Sequence, residues 1–269
     1  MDKRDSIAIL IAVYNGQALL QRTLDSIVDD CSLTIVVVDD GSATPICRKQ
    51  LFYSGDVIML RHAINRGHVA ALNTGLKYIL ENGYEYMARL DAGDVAAKGR
   101  FSLQREFLMK HPQYGLVGSK IREIGNHESA LVDLPSEQLK RRLHIRSEFG
   151  HPAVMLTVSA IKEIGLYDNQ FGGMEDWDYW LRLAMKYEVK NLPEVLTELD
   201  GTPGSISRDL KYIIRVKRRF MKVRVLWRHF APGYLESYFG LFSALFILAV
   251  NLVIPPKVIM ARVKTGKSH

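Results

Sequence analysis

The stretch LTIVVVDDGS, residues 33–42, runs apolar and β-branched and then turns abruptly into two carboxylates, a glycine and a serine. β-Branched residues suit an extended, buried chain, whereas Asp-Gly-Ser suits a turn. The stretch therefore reads as a buried strand that ends in a polar loop. The same design recurs along the first hundred residues: IAILIAV (7–13) ends in YNG (14–16), VIML (57–60) precedes NRGH (65–68), and YMARL (86–90) ends in DAGD (91–94). Between these runs the apolar period changes to that of a helix. Leu20, Leu24, Ile27 and Val28 fall on one face, and Val69, Leu72, Leu76, Ile79 and Leu80 on another, with Gly83 as a stop. Strand–helix alternation with continuously apolar strands predicts an α/β fold, its parallel sheet covered on both sides. Ligands of such sheets bind beyond the carboxyl ends of the strands, so the four loops are where chemistry is expected.

The 269 residues, 48% hydrophobic, suffice for one large domain with an appendage. Cys31 and Cys47 form no metal-type or redox-type spacing, which predicts a reduced, cytoplasmic setting. The first apolar run ends in Tyr-Asn-Gly and has no small-residue cleavage site, so it reads as a strand and not as a signal peptide. The net charge of +7 predicts an anionic partner. Much of the excess lies in 208–228, where Asp209 is the only acid, and that segment has no nucleic-acid recognition motif, so no nucleic-acid partner is expected. In the second half, a helix is expected over 99–110, a bent strand over 114–125, a strand over 151–159 and a helix over 175–187, with Trp177, Trp180, Leu181 and Ala184 inward. A catalytic unit of residues 1–205 is expected, followed by a helical extension, 206–269. In the extension, Ile213, Val216, Phe220, Val223 and Trp227 form an apolar stripe among Lys211, Arg215, Lys217, Arg218, Arg219, Lys222 and Arg224. The apolar run Tyr238–Ile254 follows, closed by Pro255 and Pro256. This pattern suits a helix lying on an anionic membrane surface. Packing of the run on the catalytic unit, or in an oligomer interface, is the alternative.

Each loop taken alone also reads as a turn or a cap. Asp40 in DDGS could accept a hydrogen bond from a nucleobase or ribose. Arg66 and the free backbone N–H groups near Gly67 could face a phosphate. Asp91 and Asp94 flank the small Ala92–Gly93 pair, and such carboxylates suit a hard divalent cation such as Mn²⁺ or Mg²⁺. Glu175 and Asp176 open a helix behind Gly172 and Gly173, where a general base could sit. Neither GxGxxG nor GxxxxGK[ST] is present, which removes the common dinucleotide and P-loop readings.

Read together, AVYNG, VVVDDGS, NRGHVAALNTG, ARLDAGD, GHPAVM and MEDWDYWLRL resemble, in order and spacing, the motifs of family 2 glycosyltransferases, over roughly residues 6 to 200. The bacterial members that build surface polysaccharides are the most similar in pattern. The resemblance implies a GT-A fold, a mixed sheet flanked by helices that binds a nucleotide sugar, with transfer that inverts the anomeric carbon. It implies donor contacts at Ala12, Tyr14, Asp40, Arg66, Asp91 and Ala92, a metal at Asp91, and Asp176 as catalytic base beside Glu175. His151 and Trp177 fall on the implied acceptor side, while Arg100 and Gln104 read as structural. The implied donor is a nucleotide-diphosphate sugar, with UDP the commonest nucleotide, and the implied acceptor is a saccharide or a lipid-linked one at the inner face of the cell membrane. Gly93 departs from the family's D-A-D-D pattern, and Asp94 is the expected substitute metal ligand. A catalytically weak nucleotide-sugar-binding scaffold of a polysaccharide assembly complex is the alternative reading.

Overall fold

The structure is a computed structural model and describes residues 6–122, 131–200 and 221–253. The four expected strands form as β1 (Ile7–Val13), β2 (Leu33–Asp39), β3 (Asp56–Arg61) and β4 (Tyr86–Arg89), with α1 (Gln17–Ser26) and α2 (His68–Glu81) between them. They pair in parallel, β1 lying between β2 and β4 and β3 outside β2. Their carboxyl ends therefore open on one edge. Along β1 the side chains alternate between two cores: Ala8 and Leu10 pack with α2, whereas Ile7, Ile9 and Ile11 pack with Leu20 and Leu24 of α1. This is why the strands read as continuous apolar runs. Val28 lies beyond the end of α1 and is exposed, so the expected helical face ends at Ile27.

The sheet continues through β5 (Val95–Ala96), β6 (Tyr114–Arg122), β7 (Met155–Thr157) and β8 (Glu188–Glu198), in the order β3-β2-β1-β4-β7-β6-β8-β5. β7 runs antiparallel to both β4 and β6, and β5 antiparallel to β8, so the sheet is mixed. α3 (Arg100–Lys110) buries Arg100 and Gln104 completely, in the structural role expected of them. The single strand expected over 151–159 is three elements: a 3₁₀ turn at His151–Ala153, β7, and α5 (Val158–Ile164). Pro152 stands in the 3₁₀ turn, and the Thr157 side chain accepts from Ala160 N and starts α5. α4 (Ser136–Leu143) and α6 (Glu175–Ala184) cover the same face, and the inward set of α6 is as expected.

After β8, α7 (221–228) and α8 (Leu235–Val253) are described, whereas the expected boundary at 205/206, most of the basic stripe, and Pro255–Pro256 lie outside the described residues. α7 buries Met221, Val225 and Leu226 in the main core, while Trp227 of the expected stripe is 70% exposed. α8 turns Ser237, Leu241 and Ala244 inward and leaves Phe239, Phe242 and Phe246 outside, at 64%, 66% and 70% exposure. Among the described residues no helix is long and apolar enough to cross a membrane. The seat of α8 depends on Gly240, where a Cβ would collide with the carbonyl oxygen of His144. Gly240→Ala should therefore lift α8 and cost about 1–3 kcal/mol, as overpacking does. Chemical denaturation with amide exchange on α8 measures this, and unchanged stability and protection would mean that α8 is seated elsewhere.

Candidate active site

At the end of β2, Asp39 is fully buried and accepts from Ser42 N at 2.9 Å, Ile46 N at 3.2 Å and the Arg61 guanidinium. Burial works to raise its pKa, but these hydrogen bonds outweigh burial and lower it. Asp40 is buried too, and its carboxylate accepts from Arg66 N and Gly67 N, both at 2.9 Å, and meets His62 Nδ1 at 2.6 Å. Its role in this structure is to pin the 65–67 loop to the end of β2, so a nucleotide would have to share these oxygens. Ala12 is half-buried, while Tyr14 and Arg66 are exposed around the same strand ends.

The 91–94 loop is organised by Arg89, a fully buried cation on β4. Its Nη1 donates to the carbonyls of Leu10 at 2.6 Å and Leu90 at 3.0 Å, its Nη2 pairs with Asp91, and its Nε donates to His151 Nε2 at 3.4 Å. Burial pushes the Asp91 pKa up, but Arg89, with His68 and His151, holds it below the usual carboxylate range. The Asp91 side chain keeps 37% of its surface exposed, enough to face a ligand, and Ala92 is half-buried beside it. Asp94 behaves differently. It is buried, and its Oδ1 accepts from Asp200 N at 2.7 Å. Burial, then the charges of Asp91 and Asp200, push its pKa up. Thr23 of α1 braces the loop, accepting from Gly93 N at 2.8 Å and donating to the Asp94 carbonyl at 2.9 Å.

On the other side stand the 3₁₀ turn and the start of α6. His151 Nε2 receives the Arg89 donor and lies 3.0 Å from the Tyr167 hydroxyl. Arginine cannot accept, so this nitrogen is unprotonated and the Tyr167 hydroxyl donates to it. Burial and the neighbouring Arg89 keep the ring neutral, its pKa well below the ordinary histidine value. His68, His151 and Glu175 bring ligand-type atoms within 4.8 Å of one another. That donor set suits a transition-type cation, although the Arg89 cation beside His151 opposes one there. Asp176, half-buried in the first turn of α6, has its pKa pushed up to about 7 by burial, then by the charges of Glu175 and Asp91. Its Oδ1 accepts from Trp177 N at 2.8 Å. Trp177, expected on the acceptor side, is buried, and its indole N–H donates to the Leu143 carbonyl at 2.8 Å, so it is a packing residue.

The structure thus gathers Asp91, His151, Glu175 and Asp176 with His68, Arg89 and Tyr167 at one edge. Arg89 carried a sequence signal, a charge inside an otherwise apolar strand. Tyr167 carried none: it is placed by Asn73 of α2, whose side chain bonds both Tyr167 N and Tyr167 O at 2.9 Å. The edge therefore holds one carboxylate, Asp176, whose pKa burial raises, and another, Asp91, whose pKa Arg89 holds low.

Comparison with known proteins identifies the family and the fold. The family model for glycosyl transferase family 2 matches residues 8–155. An amylovoran biosynthesis glycosyltransferase, AmsE of Erwinia amylovora, is 30% identical over 75% of this chain and 78% of its own. The UDP-Gal:alpha-D-GlcNAc-diphosphoundecaprenol beta-1,3-galactosyltransferase of Escherichia coli is 24% identical over 79% of this chain and 81% of its own. Among solved structures, the mannosyltransferase PcManGT of Pyrobaculum calidifontis, in complex with GDP-Man and Mn²⁺, superposes with a TM-score of 0.61 at 18% identity, over 96% of this chain and 79% of its own. With its mixed sheet in the GT-A arrangement and its model match over more than half the sequence, the chain belongs to glycosyl transferase family 2.

Proposed function

We propose that the protein transfers a sugar, with inversion, from a nucleotide-diphosphate donor to a saccharide or lipid-linked acceptor during bacterial surface-polysaccharide synthesis. The observation that carries this is the gathering of Asp91, held by Arg89 at the end of β4, with His151 and the first-turn carboxylates Glu175 and Asp176 of α6 at the edge where the parallel strands end, in a chain of this family. A UDP-sugar is the proposed donor and a lipid-diphosphate saccharide the proposed acceptor, in keeping with the name of the Escherichia coli relative. The donor lies along the ends of β1, β2 and β4, against Ala12, Tyr14, Asp40, Arg66, Asp91 and Ala92. Asp176 takes the proton of the acceptor hydroxyl as its oxygen bonds to the anomeric carbon and the bond to the β-phosphate breaks. Arg66 and the amino end of α2 favour the charge left on the diphosphate. His151, kept neutral, and Glu175 line the acceptor side. Asp91 offers an oxygen donor fit for a hard cation, Mn²⁺ or Mg²⁺, with Asp94 as the second carboxylate of the loop. When bound, such a cation supplies positive charge to the leaving diphosphate.

The exposed face of α8 supports contact with a membrane surface, which we place on the cytoplasmic side. Phe239, Phe242 and Phe246 lie at helical spacing on the side away from the protein, with Trp227 of α7 also exposed. An in-plane helix buries such a face at the headgroup boundary.

Three outcomes follow. Asp176→Asn should lower transfer by roughly 10²–10⁴-fold with donor binding kept; near-normal transfer, together with a dead Glu175→Gln, would mean that the two acids have exchanged roles. Because the base must be deprotonated, the kcat of the wild type should rise as pH increases through about 7. Glu175→Gln removes a charge that raises Asp176, so its rising limb should move to lower pH, and a limb that stays in place would argue against Asp176 as its source. Finally, the full-length protein should sediment with anionic liposomes, and the triple substitution of Phe239, Phe242 and Phe246 by Ser should release it without lowering its unfolding temperature. Equal sedimentation of both would assign the membrane contact elsewhere.

A further inference from the structure

We infer that His68, with His151 and Glu175, holds one hydroxyl group of the sugar that is transferred, and so helps to set which donor sugar the protein accepts. The inference rests on the function proposed above and adds to it a residue, His68, and a ligand group, a hydroxyl. A ligand-type atom of each of the three residues lies within 4.8 Å of those of the other two. Three points no farther apart than that can all be reached from one centre about 2.8 Å away, the length of an ordinary hydrogen bond. One ligand oxygen can therefore meet all three.

The three residues also match a hydroxyl in kind. Arg89 Nε and the Tyr167 hydroxyl both donate to His151 Nε2, so the one hydrogen of that ring is on Nδ1, and an N–H is what His151 has left to offer. Glu175 is an acceptor: one of its oxygens takes the N–H of Gly173, and a carboxylate has room for further bonds. The His68 ring is exposed, meets the His151 ring edge-on at 6.1 Å, and has no hydrogen bond or ion pair among the described residues. A hydroxyl gives one hydrogen and accepts two. Glu175 takes the hydrogen, and the two imidazole N–H groups fill the lone pairs. A metal ion would instead need a lone pair from each residue, and that of His151 is spent on Arg89 and Tyr167.

Their placement spans the path of the sugar. His68 opens α2 directly after Gly67, whose N–H is held by Asp40 at 2.9 Å, so it stands on the donor side. Arg89 pairs with Asp91 through Nη2 and reaches His151 through Nε, so one guanidinium separates His151 from the acid proposed to face the diphosphate. Glu175 precedes the proposed base, Asp176, in the first turn of α6. The transferred sugar lies between the diphosphate and the acceptor, and residues that line the acceptor side face it as well.

The test measures binding, without turnover, by calorimetric titration of the full-length protein in Mn²⁺ with UDP, UDP-glucose, UDP-galactose and UDP-N-acetylglucosamine. For the UDP-sugar that binds most tightly, His68→Ala should weaken binding about 3–10-fold, the scale of one net hydrogen bond, and leave UDP affinity and the unfolding temperature as in the wild type. His68→Gln, which keeps an N–H donor, should recover part of the loss. Among the monodeoxy forms of that UDP-sugar, one should bind the wild type more weakly than its parent, yet bind His68→Ala as well as its parent does, because the two losses remove the same contact. Equal losses for UDP and the UDP-sugar would make His68 a diphosphate residue and overturn the inference, as would losses from His68→Ala and from every monodeoxy sugar that simply add. A wild type that binds neither UDP nor any of the UDP-sugars would overturn the proposed donor and this inference with it, whereas UDP-sugar binding that ignores His68 overturns this inference alone.

Discussion

The guanidinium of Arg89 is the interaction on which the site depends. A cation buried this completely must have every donor paired, and breaking a buried ion pair by removing one partner typically costs about 3–5 kcal/mol. Arg89 spends its donors on the Leu10 and Leu90 carbonyls, on Asp91 and on His151. One side chain therefore locks the ends of β1 and β4 together, keeps Asp91 ionised and fixes which nitrogen of His151 is bare. Its own carbonyl accepts from Arg100 Nη2 at 2.8 Å, and Arg100 reaches Thr197 of β8 at 2.8 Å. The two halves of the sheet thus meet at the residue that orients the acid loop.

Across the site, the charges are arranged to differ. Burial works against the charge of Asp91, but Arg89 holds its pKa below the usual carboxylate range, while burial, then the charges of Glu175 and Asp91, raise Asp176 to about 7. Like carboxylates placed in unlike surroundings can take unlike roles, and the proposed mechanism uses the first to hold charge and the second to move a proton. The helix bearing Asp176 is also tied to the C-terminal part. Asp178, fully buried on α6, accepts from Arg182 Nε at 2.9 Å and meets His229 Nε2 at 2.8 Å, just past α7. The C-terminal segment that carries the exposed aromatic face thus touches the helix that carries Asp176.

Much of this was legible in the sequence because it is local. β1 to β4, α2 and α6 each announce themselves by period, and the loops after the strands are the loops of the site. What escaped was non-local. β8 carries Pro193 and several charges and becomes a strand through its partners β6 and β5, while α4 shows only Leu139 and Leu143 to the core. The reading of 151–159 as one strand failed because Pro152 and the Thr157 cap redirect the chain twice. The residue type at Trp177 suggested a ligand, but burial commits it to packing, and Asp40 also pins the 65–67 loop and meets His62, which its local sequence did not show. Gly93 looked like a gap in the sequence. Only folding brings residue 200 into the space it leaves.

The central claim is a single displacement in which Asp176 removes the acceptor proton and no enzyme group bonds to the sugar. The anomeric configuration of the product tests it most directly. With an α-configured UDP-sugar that the enzyme accepts, proton NMR of the product before any rearrangement should show the β-linkage alone. An α-linked product would require the sugar carbon to be attacked twice, or from the leaving-group side, and would contradict the role given to Asp176.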